Sequence, residues 1–478
     1  MSGTTGASCT CWPSPTIWAE AGPPSPGNGR FATFPYDVTV TTSLHDDTVD
    51  LLRSLIRTEC VNDGTPDSGQ EIQAVRVLER YLGGVGIEYG VYESHPGRAS
   101  LVARLHGTDP DAPSLALVGH LDVVPVEPAG WAHDPFAADV IDGEVWGRGA
   151  VDMLYLTASF ATVFREAARS GVPLRGDLVF VAVADEEGGS RYGLDWLLRN
   201  VPEVVAADYV LTEAGGMRIG EKVVVAVAEK GSAGRRVTLR GTPGHASAPH
   251  GTRNAAVLIA EAVRRLNDFP SPVTLGGQWP AFVEAYAGGS PLAERLGDPE
   301  RVDAALTELG ALAGYGHAVT RTTYAPTVLR SGTAHNVIPG LGSIDLDVRT
   351  LPGVTDDEVD AHLRAALGDL AEDAEITRLH GWLPSASPTD SPLYTVLGEA
   401  LGETLGREVV PIVAAGGSDA RLYRYRGAVA YGFGVLSDAW SYERYRSVIH
   451  SHNERIDLES VRLTVDTLTR VVHGFLGE

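Results

Sequence analysis

Residues 177–189 read DLVFVAVADEEGG. Leu178 to Ala184 are apolar without interruption and rich in valine, and the run ends within seven residues, which suits a strand better than a helix. A strand that is apolar on both sides must be covered on both sides, as in a mostly parallel sheet with helices packed on each face. The run stops abruptly at Asp185, Glu186 and Glu187, followed by Gly188 and Gly189. Adjacent carboxylates repel one another, and burying them ionised is costly unless positive charge compensates. Open parallel sheets bind their ligands beyond the carboxyl ends of the strands. A triple acid at such an end points to a bound cation.

The same pattern recurs on either side. SLALVGH (114–120) is a second apolar strand, ending at His120 with Asp122 just beyond, and DYVLTE (208–213) is a third, ending at Glu213. Three strands therefore bring metal-competent side chains to one edge of a sheet. Helical periodicity lies between and before them: LHDDTVDLLRSLIRTE sets Leu44, Val49, Leu52, Leu55 and Ile56 on one face, and QEIQAVRVLERYL repeats the pattern. The fold class expected is α/β, a mostly parallel mixed sheet sandwiched by helices.

Near EKGSAGRRVTLRGTPGHAS (229–247) the character changes. VTLRG reads as a strand with one exposed face, NAAVLIAEAVRRLNDF as an amphipathic helix, the stretch after it as irregular, and SIDLDVRT (343–350) as an alternating strand. This predicts a smaller α+β lid or dimerisation domain inserted into the larger one. SPLYTVLGEALGETLG, VVPIVAAGG and AVAYGFGV then return to the first domain. The expected division is a disordered leader over 1–42, catalytic domain over 43–231, inserted domain over 232–385 and catalytic domain again over 386–478.

The bulk properties narrow the partners. A net charge of −24 over 478 residues argues against nucleic acid and anionic membranes, both of which call for basic faces. No apolar run approaches the roughly 20 residues needed to cross a bilayer. Of three cysteines, Cys9 and Cys11 lie in the leader and Cys60 stands alone, so a disulfide framework is not expected and a cytoplasmic location is. The leader has neither a basic start nor a continuous apolar core, so it does not read as a secretory signal. Its CTC pair is spaced too closely for a usual zinc site. A small-molecule or peptide substrate is the expected partner.

Imidazole nitrogen and carboxylate oxygen without thiolate suit zinc, or a harder ion such as manganese or cobalt. Asp122 lies on the same side of its strand as His120 and is expected to receive the imidazole's second N–H.

Eight stretches now stand in a telling order: GHLDVVP, WGRGAVDM (146–153), ADEEGG (184–189), GTPGHAS (241–247), HNVIPG (335–340), DVRTLPG (347–353), GGSDAR (416–421) and IHSHNERI (449–456). Together they resemble the co-catalytic di-zinc metallopeptidase family of aminoacylase, acetylornithine deacetylase, succinyl-diaminopimelate desuccinylase, carboxypeptidase S and carnosinase, most closely its carboxypeptidase S-like branch. The resemblance runs from about residue 44 to the end.

What it implies can be stated position by position. Two divalent metal ions, zinc first and cobalt or manganese as alternatives, would be held by His120 and Glu213 on one side and by Glu187 and His450 on the other. Asp152 would bridge them, with a cis peptide bond after it. Glu186 resembles the general base, and Asp122 the residue that orients His120. His245 resembles a histidine that stabilises the oxyanion, often in the neighbouring subunit's site, which makes a homodimer through the inserted domain the expected assembly. Asn336 and Arg349 resemble groups that hold a substrate carboxylate, and the backbone N–H groups of Gly416, Gly417 and Ser418 are placed to clasp the same end. His452 competes with His450, but the family spacing to Asn453 and Glu454 selects His450.

One departure stands out. Where the family has lysine after GRGAVDM, this chain has Leu154, Tyr155 and Leu156, which predicts altered metal affinity or a more apolar pocket wall. The activity implied is hydrolysis of the amide bond of a small N-acyl amino acid or short peptide with a free carboxylate. Peptidase and deacylase remain open, and so does a desuccinylase role. A catalytically silent metal-binding scaffold, and an aminopeptidase of a related family that lacks the insert, are the competing expectations.

Overall fold

Successive residues of the strand Leu178–Val183 face opposite sides of a six-stranded sheet, and both sides are dry. Leu178, Phe180 and Ala182 join one apolar cluster, whereas Val179, Val181 and Val183 join another. The molecule, a computed structural model, is described over residues 43–477; the leader expected over 1–42, with its CTC pair, lies outside them. Across the sheet the strands run Tyr89–His95, Arg98–Leu105, Leu178–Val183, Leu115–His120, Tyr209–Thr212 and Val429–Gly432. The last four are mutually parallel and the first two join antiparallel. The sheet is thus mixed and mostly parallel, as its apolar strands predict.

One face is covered by the helices Leu44–Ile56, Leu154–Ser170 and Leu458–Leu476, which pack on one another. Ser43 opens the first of these as its N-cap, its hydroxyl accepting from the Asp46 N–H at 3.2 Å. The other face is covered by Leu194–Asn200, Pro202–Val205 and Ala420–Arg424. Because the four parallel strands end on one edge, His120, the turn after Val183 and the turn after Thr212 share that edge.

A second sheet is antiparallel throughout, in the order Thr323–Ser331, Leu341–Thr350, Gly231–Arg240 and Ala374–Trp382. The helices Ala255–Asp268 and Asp356–Leu367 supply apolar side chains to its separate core. Thr355 and Glu358 close the second helix with a reciprocal capping box.

One expectation is corrected here. The stretch read as irregular after Asp268 holds the helices Trp279–Ala287, Pro291–Leu296, Val302–Leu306 and Ala313–Val319. Their buried residues, Trp279, Phe282 and Leu306 among them, belong to the first core and not to that of the antiparallel sheet. Each helix is too short to display a repeating apolar stripe, which is why periodicity missed them. Val409–Ala414 pairs in parallel with Lys222–Glu229 in a smaller sheet.

Candidate metal centre and active site

Five side chains from five separate segments converge at the carboxyl edge of the main sheet. His120 is the last residue of its strand, Asp152 precedes the helix Leu154–Ser170, Glu213 directly follows its strand, and Glu187 lies in the turn after Val183. His450 follows the helix Tyr442–Val448. Ligand atoms of His120, Asp152 and Glu213 lie within 4.8 Å of one another, and so do those of Asp152, Glu187 and His450. Asp152 belongs to both groups: its Oδ1 is 3.2 Å from His120 Nε2 and its Oδ2 is 3.0 Å from His450 Nε2. His450 Nε2 is also 3.1 Å from Glu187 Oε1, and His120 Nε2 is 4.0 Å from Glu213 Oε2. The peptide bond Asp152–Met153 is cis.

The electrostatics fit a cationic occupant. Burial pushes Glu213 well above the usual carboxylate range, and the neighbouring Asp152 and Glu186 push it further. Burial does the same to Glu186, with Asp419 and Glu187 adding to it. Burial opposes protonation of His120, yet its bond to Asp152 and the charges of Glu213 and Asp122 hold it well above its ordinary value. Hydrogen bonds to Asp152 and Glu187 raise His450 to about 10. Four carboxylates thus crowd two imidazoles. A pair of divalent cations would neutralise the same cluster with donors of suitable type, nitrogen and oxygen without thiolate.

Behind these groups lies a buried scaffold. The Asp122 carboxylate does not take up the second N–H of His120: its Oδ1 is 3.7 Å from Nδ1, whereas the Asp122 backbone carbonyl is 2.9 Å away. The carboxylate is committed elsewhere. It accepts from the backbone N–H groups of Glu186 and Glu187, both at 3.1 Å, and from the Asn62 amide at 2.8 Å. Asn62 also donates to Asp185, which accepts from Arg98 at 2.9 Å, and Arg98 in turn pairs with Glu71 at 2.8 Å. Asp185, the first of the three acids, is therefore an anchor of the turn. A side chain at Gly188 would run into Asp185 Oδ1 and the Asn62 amide, at 2.4 and 2.8 Å, so this position must be glycine.

Glu454 anchors the other loop. It accepts from Arg148 at 2.7 Å, and from the N–H groups of Gly149, Val151 and Asp152 at 3.0, 2.7 and 3.0 Å. Sequence reading used Glu454 only as a spacing mark. The available signal was that Arg148 and Glu454 were charges of opposite sign within two site motifs, each without a task.

The substrate candidates divide. Gly416, Gly417 and Ser418 line a cavity of about 460 Å³ together with Asp152, Glu186, Glu187, Glu213 and His450. The Ser418 N–H is committed to Glu229 at 3.1 Å, so it is not free to clasp a ligand. Arg349 pairs with Asp347 at 2.7 Å and lies over the Trp382 ring, 5.1 Å from its centroid. Arg421, which sequence reading left without a role, lies over the same ring at 5.0 Å and 3.9 Å from Glu186. His245 and Asn336 stand apart from the cavity lining, exposed on a ribbon in which Gly244–His245 pairs with Val337–Ile338. His452 faces Glu127 at 3.7 Å and joins neither donor group. Leu154, Tyr155 and Leu156 are buried in the core and absent from the cavity wall, so the missing lysine does not make that wall more apolar.

The model of peptidase family M20/M25/M40 matches residues 116–474. The chain belongs to that family. Among M20 relatives, it is 34% identical to the succinyl-diaminopimelate desuccinylase of Parvibaculum lavamentivorans over 229 residues, 46% of this chain and 55% of that protein. The match thus spans about half the length of this relative. The human N-fatty-acyl-amino acid synthase/hydrolase PM20D1 is 25% identical over 390 residues, 77% of this chain and 76% of that protein. The M20 fold is shared with a metallo-carboxypeptidase, Sso-CP2, of Sulfolobus solfataricus. The TM-score is 0.69 at 17% identity, covering 90% of this chain and 99% of the other. Among the described residues no helix is long and apolar enough to cross a membrane.

Proposed function

We propose that this M20 protein is a metal-dependent hydrolase of the amide bond in a small N-acyl amino acid or short peptide that carries a free carboxylate. The observation that carries the reading is the pair of donor groups sharing Asp152 within a cavity that also contains Glu186. His120 and Glu213 would hold one cation, Glu187 and His450 the other, and Asp152 both. Bound there, two divalent ions, zinc or alternatively cobalt or manganese, supply the charge that acidifies a water and polarises a carbonyl.

The remaining steps fall to the chain. Glu186, which is no member of either donor group, would accept the proton of the attacking water on a carboxylate oxygen and return it to the leaving amine nitrogen. Asp122 holds the backbone of Glu186 and so sets where that oxygen points. Arg349, on the ring of Trp382 that adjoins Gly417, is suited to the substrate carboxylate, for which a planar guanidinium is well shaped. His245 and Asn336 would reach a site from a second copy of the chain, which makes the functional unit a homodimer through the segment 232–385. A cytoplasmic location, argued from cysteine usage, belongs to the same reading.

The deciding experiment measures metal content by atomic emission together with hydrolysis of a panel of N-acyl amino acids and dipeptides. Bound metal with turnover of at least one panel member is expected. Bound metal with no turnover on any of them would favour the silent scaffold.

A further inference from the structure

The cavity is chemically lopsided. At Gly417 it adjoins Trp382, whose ring carries the guanidinium groups of Arg349 and Arg421. Much of its wall is apolar: Met217, Ile219, Leu312, Tyr315, Tyr445 and Ile449 contribute to it beside the metal-ligand candidates. This wall is built in place. Tyr315 donates to the Val413 carbonyl at 3.1 Å, and its ring meets that of Phe282 at 5.4 Å and that of Tyr442 at 6.2 Å.

Beyond the metal site and Glu186 its charged members are mostly cationic. Apart from the metal-ligand candidates and Glu186, Glu229 is the one carboxylate among the described residues that line the cavity, and it is committed to Ser418 and to Arg424, the latter at 3.2 Å. Arg446 lines the wall as well, and so does Arg218, which pairs with Asp438. A dipeptide brings an α-ammonium next to its scissile carbonyl, and beyond the metal site and Glu186 it would find cations and no uncommitted carboxylate. An aliphatic acyl group brings no charge. An acetyl group would leave most of about 460 Å³ wet against apolar walls, whereas each added methylene would displace that water favourably.

We propose that the apolar wall formed around Leu312, Tyr315 and Ile219 is an acyl-chain site, and that the substrates are amino acids N-acylated with aliphatic chains well beyond acetyl, not dipeptides. This rests on the hydrolase reading above and selects within it.

The test uses the metal-loaded full chain with N-acetyl-, N-butanoyl-, N-octanoyl- and N-dodecanoyl-leucine, the same series on phenylalanine, succinyl-leucine and the dipeptide alanyl-leucine. We expect kcat/KM to rise about tenfold per two-carbon extension until the cavity is filled, with alanyl-leucine and succinyl-leucine at least about 100-fold below octanoyl-leucine. Acetyl-leucine, succinyl-leucine or alanyl-leucine as the best substrate overturns the acyl-chain site and leaves the hydrolase reading intact. A binding arm separates the two claims. On Glu186→Ala, calorimetry should show octanoyl-leucine binding at least about tenfold tighter than acetyl-leucine, and equal affinities would overturn the site even for a chain that hydrolyses nothing. Leu312→Trp, checked for an unchanged melting temperature, should lower the octanoyl-to-acetyl ratio of kcat/KM at least about tenfold. An unmoved ratio in that folded variant also counts against the site.

Discussion

Glu186 and Glu187 adjoin in sequence and carry the same charge, yet the turn sends them to different tasks. Glu187 meets His450 and belongs to a donor group, whereas Glu186 belongs to none and faces Arg421. Glu186→Ala should therefore lower kcat by roughly 10²- to 10⁴-fold, the range of a lost general base, with metal content by atomic emission unchanged. Metal lost together with activity would make Glu186 a ligand instead. His245→Ala should lower kcat by roughly 10²-fold or more while KM moves little, as expected for a donor that acts on charge developed only in the transition state. Steady-state kinetics on the best panel substrate decide it; an unchanged kcat removes His245 from the mechanism. At this scale much was legible. His120, Glu187 and Glu213 stood where apolar strands stop, and a charged or imidazole side chain at such an end has few structural reasons to be there. Asp152 and His450 sit in irregular segments with no such cue, so only resemblance to a family pointed to them.

The two loops that carry ligands are held by buried charge, and here reading the chain fell short. Arg98 and Glu71 are both fully buried and pair with each other, and Arg98 also reaches Asp185. Removing one member of a buried pair leaves the other uncompensated, so Arg98→Ala should destabilise the fold by about 3–5 kcal/mol in urea unfolding. Arg462→Ala, on an exposed helix pair with Glu459, should cost well under 1 kcal/mol. Similar losses for the two would mean that the Arg98 network is not structural. Glu454→Gln keeps the size but turns an amide NH₂ towards the N–H groups of Gly149 or of Val151 and Asp152, donor against donor. It should weaken metal binding about 10- to 100-fold, the usual cost of disturbing what supports a ligand, read by competition with a chromophoric chelator. Residues 62, 71, 98 and 185 are too scattered for any local pattern to have joined them.

For the molecule as a whole, donors drawn from five segments would make a bound metal a clasp between the strand ends and the chain after Val448. Binding to the native state alone raises stability by RT ln(1 + [M]/Kd), about 2.7 kcal/mol at a hundredfold excess over Kd. Adding a chelator should lower the melting temperature in calorimetry, and restoring zinc should recover it; a melting temperature indifferent to both would argue against a resident ion at this cluster. The placement of the helices between Trp279 and Val319 also belongs to this scale. They lie between strands of the antiparallel sheet in sequence, yet they pack into the first core and lend Leu312 and Tyr315 to the cavity wall.

The order of apolar runs and the residues that end them were sufficient to establish a sandwiched, mostly parallel sheet with metal-competent side chains at one edge, because strand burial and strand ends are local properties. Which nitrogen or oxygen faces which partner was decided only by the tertiary structure. Asp122 turns its carboxylate to the backbone of Glu186 and Glu187 and its carbonyl to His120, and Ser418 gives its N–H to Glu229. These choices follow from competition among donors and acceptors that are distant in the chain. The apolar wall arises in the same way, from side chains of several elements that acquire a common surface only when both sheets and the short helices have packed.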